Sequence, residues 1–428
     1  MKEIVNDKLK ESIFYEKLEN GLELFFMHKP GFTKKYAVFA TKYGSNDLEF
    51  IPANKDKKIR VNEGIAHFLE HKMFEQPDGK NAFDKFSDFG ASANAYTNFT
   101  MTAYLFSCTE NFYPCLEHLL DYVQTPYFTD ENVEKEKGII EQEINMYNDN
   151  ADWKVYFNAL KAMYVNHPTR IDIAGTVESI YKITKEELYD CYNTFYSPGN
   201  MALFVVGDLE KDKVISTVRQ NMRKEFNNLN SSIKRFYPDE PKNINQKEIV
   251  ENLSVSIPMF NIGFKDTDVN YDGDKLLNKE IATEIILDMI FDKGSILYEQ
   301  LYLKGLINES FGCDYVGHID HGYTIMGGES KDPKKVKDII FEYIQKYRKE
   351  GLDEESFNRS KRKKIGKFLK SFDSIEFIAN NFISYHFKGI NITDYLEAVK
   401  NIKFEDVINR FNNHFTEENC VISIINPK

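Results

Sequence analysis

Residues 1–226 and 246–428 are predicted to contain the same order of secondary-structure elements. In each part, strands are followed by a helix, further strands and long helices, and the part ends with a helix beside a strand. Residues 227–245 are polar, contain two prolines and predict a linker. The pattern predicts an α+β protein of two homologous domains, each a mostly antiparallel sheet packed by helices.

The composition argues against several classes of partner. The chain has 55 Lys and Arg against 67 Asp and Glu, a net charge of −12, whereas nucleic-acid binding needs clustered cations. No apolar run is long enough for a membrane span, and the first residues lack the apolar segment of a signal peptide. Five scattered cysteines without a C-x-x-C pair predict free thiols in a reducing compartment. We therefore expect a cytoplasmic protein with no nucleic-acid partner and no membrane span.

The strongest chemical signal is the run His-Phe-Leu-Glu-His at residues 67–71. It lies in a predicted helix over residues 62–75, with Asn62 as the N-cap. His67 and His71 are then about 40° apart on one helix face, so both imidazoles can bind one zinc ion. Glu70 projects to the side and could take the proton of a zinc-bound water. By chance the pattern arises in about one chain in sixty of this composition, so two histidines that merely share a helix are the alternative.

A second predicted helix, residues 130–148, supplies two carboxylates on its apolar stripe. Glu136 and Glu143 share that stripe with Ile140. A carboxylate on a buried stripe is costly unless it is paired or binds a metal. Glu143 is therefore predicted as the third zinc ligand, and Glu136 as a residue that orients a ligand or the substrate. The alternative is that both glutamates pair with Lys or Arg elsewhere.

Three further segments carry weaker signals. Residues 90–97 are small and polar and predict a strand whose edge could pair with an extended peptide, although an ordinary hairpin fits as well. His318, Asp320 and His321 lie in a turn-like stretch, where a polar loop is favoured over a metal site. The basic run at residues 361–364 is interpreted as the solvated face of a helix.

The motifs together resemble the pitrilysin/insulinase family of zinc peptidases, which carry the inverted motif H-x-x-E-H. The matching segments are residues 64–71, 90–97, 136–143 and 198–207. The resemblance is specific over about residues 12–210 and only architectural beyond them. Within the family, the chain is most similar to the short bacterial, processing-peptidase-like members.

The resemblance implies a zinc endopeptidase that cleaves peptides or small unfolded proteins. Each chain is expected to form half of a clamshell, and two chains close around a chamber as a dimer. By position, His67, His71 and Glu143 would hold one Zn²⁺ per chain, Glu70 would be the catalytic base, Glu136 a second catalytic carboxylate beside the ligands, and Asn94 and Ala95 would bind the substrate backbone.

One departure from the family pattern concerns the oxyanion donors. Active members carry an Arg and a Tyr in the second domain, and the corresponding positions here are Leu301 and Asn308. We therefore expect a heterodimer in which a family member lacking the metal site supplies the missing pair.

Two other functions stay open. The chain could be a non-catalytic assembly or peptide-binding subunit, although the complete set of motif residues favours the enzyme. It could also hold zinc structurally, but a closed structural site needs a fourth protein ligand, and the sequence offers no obvious one.

Overall fold

The computed structural model describes residues 2–6, 9–53, 55–224 and 233–428. The strands are β1 (Lys2–Asn6), β2 (Glu11–Lys17), β3 (Glu23–His28), β4 (Lys35–Thr41), β5 (Glu49–Phe50), β6 (Ile59–Arg60), β7 (Ser92–Thr97), β8 (Thr102–Cys108), β9 (Met201–Gly207), β10 (Glu248–Leu253), β11 (Met259–Lys265), β12 (Gly312–Gly317), β13 (Gly322–Glu329) and β14 (Cys420–Pro427). The helices are α1 (Ile65–Lys72), α2 (Ala82–Asp88), α3 (Phe112–Val123), α4 (Asp130–Asp149), α5 (Ala151–Met163), α6 (Val177–Ile180), α7 (Lys185–Phe195), α8 (Lys211–Asn221), α9 (Gly273–Ile290), α10 (Ile296–Leu303), α11 (Pro333–Glu350), α12 (Glu354–Ser371), α13 (Ile375–Phe387), α14 (Tyr395–Asn401) and α15 (Phe404–His414).

The first compact unit contains Met1–Ile144, Asp172–Tyr237 and Ser371–Phe387. Its main sheet has seven strands in the order β1-β2-β3-β9-β4-β8-β7. All neighbours are antiparallel except β3 and β9, which run parallel. The central strands β4 and β9 are apolar and almost completely buried, which is the composition expected when both faces of a sheet are covered.

The second compact unit contains Asn145–Ile171, Pro238–Lys370 and Lys388–Lys428. Its sheet has five strands in the order β10-β14-β11-β13-β12. Here β10 and β14 run parallel, and the other neighbours are antiparallel.

The two sheets share one topology. The order β3-β9-β4-β8-β7 in the first unit corresponds to β10-β14-β11-β13-β12 in the second, with the single parallel pair at the same place. This repeat confirms the predicted α+β fold of two homologous domains, each built on a mostly antiparallel sheet.

Two helices do not belong to the unit in which a linear division of the chain would place them. Helix α5 packs on β11 and β14 of the second unit, whereas α13 packs on β4 and β9 of the first. Each sheet therefore buries one face under a helix that is distant from it in sequence. The boundaries at residues 226 and 246 stay a prediction, and residues 225–232 of the predicted linker lie outside the described residues.

No helix in the described ranges has both the length and the apolar character required to cross a bilayer.

Candidate metal centre

Helix α1 carries the motif histidines, and a glycine fixes its first turn. Gly64 precedes the helix with φ +86°, and a Cβ built there would lie 2.4 Å from the carbonyl oxygen of Ala174. The apolar side chains of α1, among them Phe68 and Leu69, are fully buried, and the helix packs on β7 and β8. This packing orients the polar face of α1, with its two histidines, toward α4.

The predicted N-cap, Asn62, is wrong. The helix starts three residues later, and no side chain caps it. The Asn62 amide instead donates to the carboxylate of Glu187, with N–O distances of 3.0 and 3.1 Å. The residue at the N-cap position is Gly64, which has no side chain that could accept a hydrogen bond from the first turn.

His67, His71 and Glu143 converge. The distance from His67 Nε2 to Glu143 Oε1 is 3.7 Å, and that from His71 Nε2 to Glu143 Oε2 is 3.5 Å. One ligand atom from each of the three lies within 4.8 Å of the others. Atoms bound about 2.0–2.1 Å from one tetrahedral ion would be ~3.3 Å apart. The donor set and its spacing therefore fit zinc.

Glu136 contacts the far side of His71. Its Oε1 lies 3.0 Å from His71 Nδ1, and an ionised carboxylate can only accept. The Nδ1 proton is thus directed at Glu136, so the lone pair of Nε2 faces Glu143 and His67. Glu136 also lies 3.7 Å from the ammonium of Lys72, which is completely buried. The alternative prediction, that the glutamates pair with Lys or Arg, therefore holds in part for Glu136, which has both His71 and Lys72 as neighbours.

The two imidazoles have opposite pKa shifts. Burial, with the neighbouring His71, lowers the pKa of His67 to about 3. Burial would also lower the pKa of His71, but the hydrogen bond to Glu136 and the nearby carboxylates raise it. His67 is therefore a neutral imidazole at pH 7, which is the form that binds a metal.

Glu70 lies beside the three converging residues and is not one of them. It is only 6% exposed, and burial raises its pKa to about 7. Its Oε2 accepts a hydrogen bond from Thr97 Oγ1 at 2.6 Å. Thr97 is the last residue of the segment 90–97, but nothing in the sequence pattern predicts its contact with Glu70.

Asn94 and Ala95 lie in β7, the last strand at one edge of the seven-stranded sheet. Asn94 is exposed and Ala95 partly so. The Asn94 side chain accepts a hydrogen bond from the Ala95 amide at 2.9 Å. The strand pairs with β8 through Asn94–Leu105 and Ala95–Tyr104.

A second group of possible ligands lies in the second unit. Asp320 Oδ1 is 2.8 Å from His321 Nδ1, and Asp320 Oδ2 is 3.3 Å from His167 Nε2. His167 Nδ1 accepts the backbone N–H of Thr169 at 3.2 Å. In the neutral imidazole the proton then lies on Nε2 and is directed at Asp320, so the geometry favours a hydrogen-bonded loop over a metal site.

The comparisons with known proteins agree with this architecture. Residues 58–177 match the family described as Insulinase (Peptidase family M16), and residues 182–364 match the Peptidase M16 inactive domain. The chain is 44% identical, over the full length of both proteins, to a Bacillus subtilis protein described as uncharacterized zinc protease YmfH. It is 21% identical to the zinc protease PqqE of Helicobacter pylori, with 94% of this chain and 95% of PqqE covered.

Solved structures show the same fold. An M16-like peptidase from Alicyclobacillus acidocaldarius superposes with a TM-score of 0.95 at 38% identity, covering 99% of this chain and 100% of that one. A protease from Helicobacter pylori superposes with a TM-score of 0.83 at 20% identity, covering 97% and 99%. This chain therefore belongs to the insulinase family of peptidases, peptidase family M16.

Proposed function

We propose that the protein is a zinc-dependent endopeptidase. The observation that carries the proposal is the convergence of His67, His71 and Glu143 with Glu70 held beside them. Three protein ligands leave one position for water, as in catalytic zinc sites, whereas a structural site would need a fourth ligand. Among the described residues, no fourth His, Cys, Asp or Glu lies close enough to join this group of possible ligands.

The chain's own residues would divide the chemistry between them. Zinc, when bound, polarises a water molecule and lowers its pKa. Glu70 would accept the proton of the attacking water and then donate it to the leaving amine as the C–N bond breaks. Glu136 would hold the ring of His71 in the orientation that presents Nε2 to the ion.

We propose that substrates bind as an extra strand along β7. An extended backbone next to Asn94 and Ala95 would pair with the edge of the sheet, which gives affinity with little demand on side chains. Folded proteins seldom offer a free extended segment, so this mode selects peptides and small unfolded proteins. The bond between Asn94 and the Ala95 amide would have to open for that amide to pair with substrate.

Assembly with a second chain is part of the proposal. Leu301 is completely buried, and the Asn308 amide donates to Glu329 at 2.7 Å. Leu301 has no polar hydrogen to donate, and the Glu329 carboxylate holds the amide of Asn308 within the second unit. We propose that a family member without the metal site contributes these donors in a dimer that closes around the substrate.

The test compares the zinc-loaded chain with Glu70→Gln on an unstructured fluorogenic peptide, with and without such a family member. We expect Glu70→Gln to retain zinc and to lose at least about 10²-fold in kcat, since general-base catalysis contributes 10²–10⁴-fold. Normal cleavage by Glu70→Gln would remove Glu70 as the base. Zinc-loaded protein that cleaves nothing, even with its partner, would favour a non-catalytic subunit.

A further inference from the structure

A short series of hydroxyl groups leads from the sheet to Glu70. Thr97 ends β7 and pairs with Thr102 across the β7–β8 hairpin. Thr97 Oγ1 lies 2.6 Å from Glu70 Oε2 and 3.1 Å from Thr102 Oγ1. Thr102 is fully buried, and its hydroxyl donates to the carbonyl oxygen of Tyr43 at 3.0 Å.

The protons in this series can be assigned by counting. Each threonine hydroxyl has one proton, and a carbonyl oxygen only accepts. The proton of Thr102 is committed to Tyr43, so Thr102 does not donate to Thr97. The proton of Thr97 is therefore available for the Glu70 carboxylate, and 2.6 Å is the length expected of an O–H···O⁻ bond.

The donor is also rigid. The backbone of Thr97 is fixed by strand pairing, and a β-branched side chain has few χ1 rotamers. Within the described ranges, Oε2 of Glu70 has this one hydrogen bond, and none reaches Oε1. One oxygen of the carboxylate is thus held by the sheet, while the other is left for a reacting group.

We infer that Thr97 is a positioning residue, which holds the Glu70 carboxylate in the orientation that accepts the proton of the attacking water. This inference rests on the proposed function. A general base must lie within about 2.6–3.2 Å of the atom whose proton it takes, and a misplacement of about 1 Å can cost 10²-fold in rate.

The kinetic test replaces the hydroxyl by a methyl group of the same size. We expect Thr97→Val to lower kcat about 10- to 100-fold with KM and zinc content unchanged. Thr97→Ser, which keeps the hydroxyl, should stay within about threefold of the wild-type kcat. Thr97→Ala, which removes both the hydroxyl and the γ-methyl group, should show the same loss of kcat and serves as the test if Thr97→Val does not fold.

Thr41→Val is the matched control. Thr41 is a strand threonine too, fully buried where Thr97 is partly buried, and it pairs with Thr102 on the opposite side, but its hydroxyl donates to the carbonyl of Phe195 at 2.6 Å. We expect its kcat to match that of the wild type. An equal loss of kcat in Thr41→Val and Thr97→Val would assign the effect to sheet packing and overturn the inference.

Crystal structures of the zinc-loaded wild type and Thr97→Val give a readout that does not depend on turnover. We expect one Glu70 rotamer in the wild type, and a displaced or divided carboxylate in the variant. An unmoved carboxylate, or a kcat of Thr97→Val within threefold of wild type, would overturn the inference. If the wild type cleaves no peptide even with the family member present, the proposed function fails, while the Glu70 rotamers still test the role of Thr97.

Discussion

Glu136 and Glu143 lie on the same helix and contact opposite sides of His71. Glu143 lies near the Nε2 atoms of both histidines, whereas Glu136 contacts the Nδ1 atom of His71. The first position suits a ligand, and the second suits a residue that sets the tautomer and orientation of the ring. The two glutamates should therefore respond differently to the same substitution.

Replacing each carboxylate by an amide separates these roles. We expect Glu143→Gln to lose zinc binding, because an anionic ligand is removed. Glu136→Gln should retain zinc with an affinity about 10- to 100-fold weaker, as is typical for residues that orient a ligand. Chelator competition measures both dissociation constants, with Glu131→Gln, an exposed glutamate of α4, as control. Equal losses at Glu136 and Glu143 would contradict the assignment.

At the scale of single residues, helical spacing predicts which side chains lie close together, but it does not predict the contacts that hold those side chains in place. His67, His71, Glu136 and Glu143 follow from the periodicity of two helices. The contact of Thr97 with Glu70 depends on the register of a hairpin and on a side-chain rotamer, and local spacing encodes neither. The N-cap prediction for Asn62 is wrong because α1 starts three residues later, after Gly64 in the left-handed region, and helical spacing does not encode that backbone conformation.

Among the elements, α1 depends on the backbone at its start. Gly64 has φ +86°, where L side chains are strained, and its Cα faces the carbonyl of Ala174. Gly138, inside α4, has open space around it. The two glycines therefore form a matched pair: the backbone conformation requires glycine at position 64 but not at position 138.

We predict that Gly64→Ala destabilises the protein by about 2 kcal/mol or more, because a strained φ and a backbone collision add up. Gly138→Ala should stabilise it by about 0.5–1 kcal/mol, since alanine is the better helix former. Urea unfolding gives both free energies. A Gly64→Ala protein as stable as wild type would show that the start of α1 can rearrange.

Helix α15 ends in a histidine whose burial affects stability. His414 is almost completely buried, and its Nε2 lies 2.8 Å from the hydroxyl of Thr324 in β13. Burial, together with the charge of Arg410, holds the pKa of His414 well below its usual value. In the unfolded chain the same residue would take up a proton near pH 6.5.

The free energy of unfolding should therefore fall as the pH drops below about 6.5, because the unfolded state then binds one more proton. The contribution of His414 is at most about 1.4 kcal/mol per pH unit. Urea titrations between pH 7.5 and 5.0 should show a shallower decline for His414→Gln than for the wild type. Identical pH dependence in the two proteins would mean that the pKa of His414 is the same in the folded and the unfolded state.

The sequence predicts most elements but not where two of the helices pack. Helix α5 falls within residues 1–226, the predicted first domain, but it lies on the sheet of the second unit. Helix α13 was not predicted, and β1 was missed in a charged segment. Packing partners hundreds of residues away decide these positions, and a local pattern of apolar residues does not contain that information.

At the scale of the whole molecule, the repeated order of predicted strands and helices was sufficient to predict the fold. A repeated α+β unit has few ways to bury its two sheets. The same sheet order, with its one parallel pair, occurs in both units. Among the described residues, the group whose donors fit a zinc ion lies in the first unit, and residues 182–364 match a domain described as inactive. Under the proposed function, the oxyanion donors would have to come from a second chain.

We predict that the chain alone cleaves peptides slowly and that a family member carrying the missing Arg and Tyr raises kcat about 10²–10³-fold, the effect of one oxyanion donor. The rate should saturate at a one-to-one ratio of the two chains. The same partner with Glu70→Gln serves as the control and should remain inactive. Full activity of the isolated chain as a homodimer would contradict the requirement for a partner.

The central claim is that His67, His71 and Glu143 share one zinc ion. Anomalous diffraction on both sides of the zinc absorption edge, from crystals of the purified chain, tests it most directly. We predict one peak per chain, about 2.0–2.2 Å from Nε2 of each histidine and from a carboxylate oxygen of Glu143. A peak located elsewhere, such as beside Asp320, or a Glu143 carboxylate beyond bonding distance of the ion, would contradict it.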